Sequence, residues 1–217
     1  MSADTSRPTT VPVTIPAAPD VAQVLSHNFR ALGKFLAFRL SLIMLLMVGP
    51  VVCIRLGVVP DSALAVLPLV AGLFVLIYTM LRVRFATRLF ACRRVLRHYP
   101  LTHYSRVAKK DARGKVYGTV FALRVSIRGQ HGAPLMRGLN ATGSPRWPAG
   151  FDEGGWVAGD LAYGGVLISP TTDALLFIKP DEWDKLESRR RELGPERAEL
   201  ARRAGLDNGK WPEPRIS

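Results

Sequence analysis

Six arginines near the middle of the chain are the residues whose type and spacing most clearly suggest a binding chemistry. They are Arg82, Arg84, Arg88, Arg93, Arg94 and Arg97, and they follow a long uncharged stretch. Guanidinium groups bind phosphate through paired hydrogen bonds, and each basic residue at a membrane surface attracts anionic lipid by about 1 kcal/mol. The sequence therefore predicts contact with anionic lipid. The alternative is that the arginines only orient the neighbouring membrane helix.

Two tryptophans form a second candidate binding feature. Trp147 and Trp156 lie on either side of a glycine- and proline-rich stretch. Exposed tryptophans at such a place can anchor a protein partner or enter the lipid headgroup layer. Packing in the protein's own core is the other interpretation.

Catalytic groups are hard to find in the sequence. Asp152, Glu153 and Asp160 are close enough in sequence to bind a cation or transfer protons, but no nucleophile or base is spaced with them. A solvated loop is the preferred interpretation of these carboxylates. No phosphate-binding loop, hydrolase, zinc-protease or dinucleotide motif occurs, and the four histidines are scattered. We therefore expect no catalytic, cofactor-binding or metal site, and a protein that is not an enzyme.

Two apolar segments must position these residues. Residues 40–54 and 63–81 contain no charged side chain, and Arg39 and Arg55 flank the first of them. A membrane-crossing helix needs about 20 residues, and flanking arginines can extend their head groups to the interface. We predict a transmembrane hairpin at about 36–57 and 62–81. Because basic residues concentrate outside the short connecting loop, both termini are expected in the cytoplasm, with the chain multi-pass in the plasma membrane.

The segments before and after the hairpin have different patterns. Residues 1–19 are predicted to form a disordered tail, and an amphipathic helix is predicted to begin after Asp20. That helix would lie in the headgroup layer or pack on the chain's own soluble domain. A basic helix continues from the second span to residue 99, where Pro100 ends it.

The remainder of the chain predicts a small α+β domain. Alternating apolar residues between 100 and 180 indicate four or five short strands in an antiparallel barrel or sandwich. Residues 181–217 are predicted to form a charged helical tail with a helix end at Gly205. The predicted fold class is thus a membrane α-helical hairpin, a β-domain and C-terminal helices.

The charge distribution favours a lipid partner over nucleic acid. The net charge of +13 divides into +8 in residues 1–100, +5 in 101–180 and zero in 181–217. The excess is therefore largest around the apolar segments, as expected for a protein at an anionic membrane surface.

Two stretches carry a resemblance to known proteins. The segment GVLISPTTDALLFIKPDEWDKL, from Gly165, together with the hairpin before it, resembles bacterial membrane proteins with pleckstrin-homology-like domains. The run GFDEGGWVAGDLAYGGVL, from Gly150, is similar to uncharacterised small two-helix membrane proteins of actinobacteria. The first resemblance implies a hairpin followed by a β-domain whose last strand leads into a helix.

Together these patterns predict a non-catalytic membrane protein that presents a cytoplasmic β-domain for binding or scaffolding at the inner leaflet. The alternative is an accessory subunit of a larger membrane enzyme or transporter. The expected partners are membrane lipid and either a protein partner or further copies of the chain within the membrane.

Overall fold

The structure is a computed structural model that describes residues 16–57, 62–110, 120–127, 133–144 and 146–210. Side chains are described throughout these ranges except at 62–65 and 81–85. The first fifteen residues of the predicted tail and residues 58–61 of the predicted hairpin loop lie outside the described residues.

Two long helices pack side by side and run antiparallel. Helix α1 spans Val21–Arg55 and helix α2 spans Ser62–His98. The Asp20 carboxylate caps α1 by accepting a hydrogen bond from the Ala22 N–H at 2.9 Å, as the sequence predicts. Gly72 allows the helices to approach closely, because a Cβ there would lie 3.0 Å from Met47.

The two helices expose a continuous apolar band to their surroundings. Of the large apolar side chains that are exposed among the described residues, ten lie between Phe38 and Leu56 and eight between Val66 and Met80. Only Phe90 and Ile127 lie elsewhere in that described set. Helix α1 is long and apolar enough to cross a membrane, with a mean hydropathy of 2.2 over a window that is only 6% buried. The described apolar part of α2, Val66–Met80, is shorter.

Seven strands form one curled antiparallel sheet beyond the helices. The strands are β1 (Leu101–Tyr104), β2 (Arg106–Lys110), β3 (Val120–Ser126), β4 (Leu135–Asn140), β5 (Gly155–Asp160), β6 (Gly164–Ile168) and β7 (Leu175–Pro180). Their order in the sheet is β1-β5-β6-β7-β4-β3-β2. The two edge strands are therefore consecutive in the chain and separated only by Ser105, so that the sheet curls into a half-barrel.

The α+β class predicted from the sequence is confirmed, and the β-domain differs from the prediction in two details. The prediction of four or five strands missed β1 and β2, because the segment from Leu101 to Lys110 has no run of apolar alternation. The sheet is also a single sheet curled into a half-barrel, whereas the sequence predicted a small antiparallel barrel or sandwich. A single sheet suffices because its outer face is covered by helices.

Both faces of the central strands are buried. Leu167, Leu176 and Ile178 point into the curl of the sheet, and the alternate residues Val166 and Phe177 pack beneath the helices. Closely spaced glycines in β5 and β6 make this packing possible. A Cβ on Gly165 would overlap the Ala158 carbonyl oxygen of the adjacent strand, so only glycine permits the close pairing of β5 with β6.

The first turns of α1 attach this helix to the sheet. Val24, on the first turn of α1, is 1% exposed and lies in the same core cluster as Val166 and Phe177. Asn28 donates a hydrogen bond to the Asp173 carbonyl at 3.0 Å. The first turns of α1 therefore pack on the protein's own β-domain, which is one of the two arrangements the sequence allowed, and α1 continues from there as one helix to Arg55.

The C-terminal segment completes the cover over the sheet. After a short 3-10 turn at Asp184–Leu186, helix α3 spans Glu187–Glu192 and helix α4 spans Gly194–Ala204. Gly205 ends α4 in the left-handed conformation at φ 74°, as the sequence predicts.

Candidate anion-binding site

The last turns of α2 bury apolar residues on one face and expose basic residues on another. Leu89, Cys92 and Leu96 are buried against the sheet and the C-terminal segment. On another face of the same turns, Phe90 is exposed and Arg93, Arg94 and Arg97 follow it. Their spacing of i, i+3, i+4 and i+7 places these four side chains next to one another.

Helix α4 adds a second wall to this basic face. Ala201, Ala204 and Leu206 are at most 2% exposed and belong to the core cluster that contains Cys92. The small alanines let α4 lie close to α2. Arg94 then crosses the end of α4, where a Cβ on Gly205 would lie 3.3 Å from its Nη1 atom.

The result is a cleft of about 310 Å³ between the two helices. Its lining residues are Phe90, Arg93, Arg94, Arg97, His98 and Arg203. We call this cleft the basic pocket. Its volume is at the lower end of the range for small-molecule sites, about 300–1,000 Å³.

The electrostatics of the basic pocket favour an anion. The Glu199 carboxylate accepts hydrogen bonds from Arg203 Nε at 2.9 Å and Arg202 Nε at 2.7 Å. These two guanidinium groups lower the pKa of Glu199 to about 2, so it stays ionised. In the part of the chain that the structure describes, Arg93, Arg94 and Arg97 have no carboxylate within salt-bridge distance. The pocket therefore keeps a large positive excess.

The structure distributes the six predicted arginines among three environments. Arg93, Arg94 and Arg97 meet in the basic pocket. Arg88 is 7% exposed and engaged within the protein, so its predicted role in lipid contact does not fit its position. The side chains of Arg82 and Arg84 lie outside the described residues.

Three lining residues were missed by sequence reasoning. Phe90 and His98 lie within the basic segment, and the helical spacing from Arg93 and Arg97 was the signal that could have found them. Arg203 comes from a segment of zero net charge whose packing partner the sequence does not indicate. The small residues Ala201 and Ala204 before the Gly205 cap were the one signal that α4 packs closely on another element.

The two candidate anchor tryptophans pack within the protein. Trp147 lies between Phe121 and Phe151, with ring centroids at 5.2 and 5.3 Å. Trp156 packs on His103 at 5.1 Å, and its indole nitrogen is buried. Both side chains are half-buried in these contacts with the protein's own residues, so the core-packing interpretation describes them better.

The acidic residues do not form a site. Asp152 and Glu153 are exposed on a 3-10 turn, and Asp160 caps a turn by accepting from the Ala162 N–H at 3.1 Å. Among the described residues there is no group of three or more His, Cys, Asp or Glu that could hold a metal ion.

A buried lysine fastens the C-terminal segment on the side of the sheet. Lys179 of β7 is 1% exposed, and its ammonium donates a hydrogen bond to the Asn208 carbonyl. Trp183 lies between this ammonium at 5.3 Å and the Arg190 guanidinium at 4.0 Å. Burial lowers the pKa of Lys179 to about 8, and the nearby Asp207 opposes that shift.

Comparison with protein families, with curated proteins and with solved structures finds no match to this chain. The resemblance to pleckstrin-homology-like membrane proteins and to small actinobacterial membrane proteins therefore stays a prediction.

Proposed function

We propose that this protein is a non-catalytic membrane-anchored binding or scaffolding protein, whose α1 and α2 cross the plasma membrane as a hairpin and hold the β-domain at the cytoplasmic face. The observation that carries the proposal is the exposed apolar band between Phe38 and Met80. A soluble protein rarely exposes so large a continuous apolar surface, whereas a bilayer would cover it.

The position of the polar residues supports the cytoplasmic orientation. Arg39 lies at one end of the band, with its guanidinium over the rings of Phe35 and Tyr78 at 4.7 and 4.5 Å. The sheet and the basic pocket are at that same end. Basic segments are retained in the cytoplasm during insertion, so the proposed hairpin has both termini inside.

A binding role fits the rest of the molecule better than a catalytic one. The basic pocket collects positive charge from four arginines beside Phe90 and His98, and none of the described residues that line it is a carboxylate, a serine or a cysteine. Such a site can hold an anion without transforming it. Attachment to a membrane also raises the local concentration of the pocket for any partner that works there.

Extraction of membranes with alkaline carbonate tests the anchoring. We expect the full chain to stay in the membrane pellet. A variant with Leu45→Lys, Val48→Lys and Phe74→Lys, all at exposed positions of the band, should leave the pellet, because each lysine in the bilayer core costs about 3 kcal/mol.

The matched control places three lysines on exposed positions of the β-domain, at Thr142, Thr171 and Thr172. This control must remain in the pellet. Carbonate release of the unsubstituted chain, or equal retention of the band variant, contradicts the proposal.

A further inference from the structure

We propose that the basic pocket binds a small soluble anion that carries two or more phosphate groups, rather than the headgroups of bilayer lipids. The inference rests on the proposed function, because it uses the distance of the pocket from the membrane that the hairpin would cross. It revises the prediction that all six arginines of α2 contact lipid.

The basic pocket lies well above the bilayer that the hairpin would cross. The apolar part of α2 ends at Met80, and the helix continues unbroken to His98. At 1.5 Å per residue, Arg93 and Arg97 lie about 19 and 25 Å further along the axis. A tilt of about 20°, the average for membrane helices, reduces these heights only to roughly 18 and 24 Å.

The headgroup layer does not extend that far. The bilayer is about 40–45 Å thick including headgroups and its hydrocarbon core about 30 Å, so each headgroup layer adds about 5–8 Å. Arg82 and Arg84 follow Met80 directly and lie within this layer. The arginines of the pocket lie about 10 Å or more beyond it, in water.

The arginines that line the basic pocket favour an anion with several phosphate groups. Arg93, Arg94 and Arg97 approach from one helix and Arg203 from another. The four guanidinium groups offer more N–H donors than the two oxygens of a single carboxylate can accept. The oxygens of linked phosphate groups can accept hydrogen bonds from several sides. Glu199 neutralises only one of the four positive charges of these arginines, so the remaining charge exceeds that of a single monoanion.

Phe90 adds an aromatic surface to the basic pocket. It is 56% exposed beside these arginines, and its ring packs on Phe29 with the ring centroids 5.3 Å apart. An exposed ring at the edge of a phosphate site can stack on a planar group such as a nucleobase. A nucleoside di- or triphosphate therefore fits both parts of the pocket, and inorganic tripolyphosphate fits the charged part alone.

Calorimetry with the full chain in nanodiscs of zwitterionic lipid tests the proposal, with tripolyphosphate as the probe. We expect saturable binding that weakens at high salt. Arg93→Gln and Arg97→Gln should each weaken it about tenfold, because each removes a charge-assisted hydrogen-bonding group. The control Arg124→Gln, at an exposed position of β3, should change it less than twofold. Binding of ATP that is tighter than that of tripolyphosphate, and is reduced by Phe90→Ala, supports a nucleotide.

Native mass spectrometry distinguishes the lipid source. Protein purified in mild detergent with added phosphatidylglycerol should retain equal numbers of this lipid in the natural chain and in the double variant of Arg93 and Arg97. Loss of lipid in the variant overturns the inference in favour of a lipid site. No tripolyphosphate binding by a chain that resists carbonate extraction also overturns it, while leaving the proposed anchoring intact.

Discussion

Replacing Lys179 by Met should remove one specific component of the pH dependence of stability. Above pH 8 the folded chain loses the Lys179 proton, because burial lowers its pKa from 10.5 to about 8. The unfolded chain keeps that proton until about pH 10.5. The unfolded state therefore binds more protons in this interval, and the free energy of unfolding rises with pH.

The size of the effect follows from the two pKa values. Integrating the proton difference between pH 7 and pH 9 gives a gain of about 1 kcal/mol for the natural chain over the Lys179→Met variant. That difference corresponds to roughly 4 °C in the melting temperature of a domain of this size. The thiol of Cys92 acts in the opposite direction above pH 9, since burial raises its pKa to about 12, but it is present in both chains and cancels.

Thermal unfolding in detergent, followed by near-ultraviolet circular dichroism at pH 7, 8 and 9, measures this difference. The control variant is Lys109→Met, at an exposed position of β2, whose melting temperature should change with pH as that of the natural chain does. Parallel curves for the natural chain and Lys179→Met would refute the lowering of the Lys179 pKa by burial.

Two further predictions use the same unfolding assay, and a third uses the reactivity of a buried thiol. Gly165→Ala should prevent folding or lower stability by more than about 2 kcal/mol, whereas Gly33→Ala, which meets nothing within 4 Å, should raise it by up to about 1 kcal/mol; similar effects of the two would contradict the close strand pairing. Asn28→Ala should cost about 1–3 kcal/mol because the Asp173 carbonyl loses its partner, and an unchanged melting temperature would show that this bond does not hold α1 on the sheet. In a Cys53→Ser background, the remaining thiol should react with a disulfide reagent at pH 8 only after unfolding, and rapid reaction of the folded chain would contradict its burial.

The elements with strong local signals could be predicted from the sequence. Uncharged stretches, the cap at Asp20 and the glycine at 205 identify helices because they depend on neighbouring residues only. The edge strands β1 and β2 could not be found in this way, since β1 has only four residues and Arg106, Lys109 and Lys110 give β2 the composition of a surface segment. The strand conformation of β1 comes from pairing with β5, which is distant in sequence, and that of β2 from pairing with β3, the next strand in the chain.

Only the part of the basic pocket that α2 contributes could be predicted from the sequence. Helical spacing within α2 made it possible to recognise Arg93, Arg94 and Arg97, because it places them on one face of a single helix. Arg203 joins them through the packing of α4 on α2, and such long-range packing leaves only a weak trace in one sequence. The same limit explains Arg88, whose burial follows from tertiary contacts and not from its neighbours in the chain.

Cysteine accessibility shows whether the hairpin crosses the membrane with the β-domain on the cytoplasmic side. Leu56→Cys lies at the far end of α1 and Ser188→Cys on α3, both at exposed positions, in a background without Cys53. In intact spheroplasts, a membrane-impermeant maleimide should label Leu56→Cys and should label Ser188→Cys only after lysis. Labelling of Ser188→Cys before lysis, or protection of Leu56→Cys until lysis, would contradict the account.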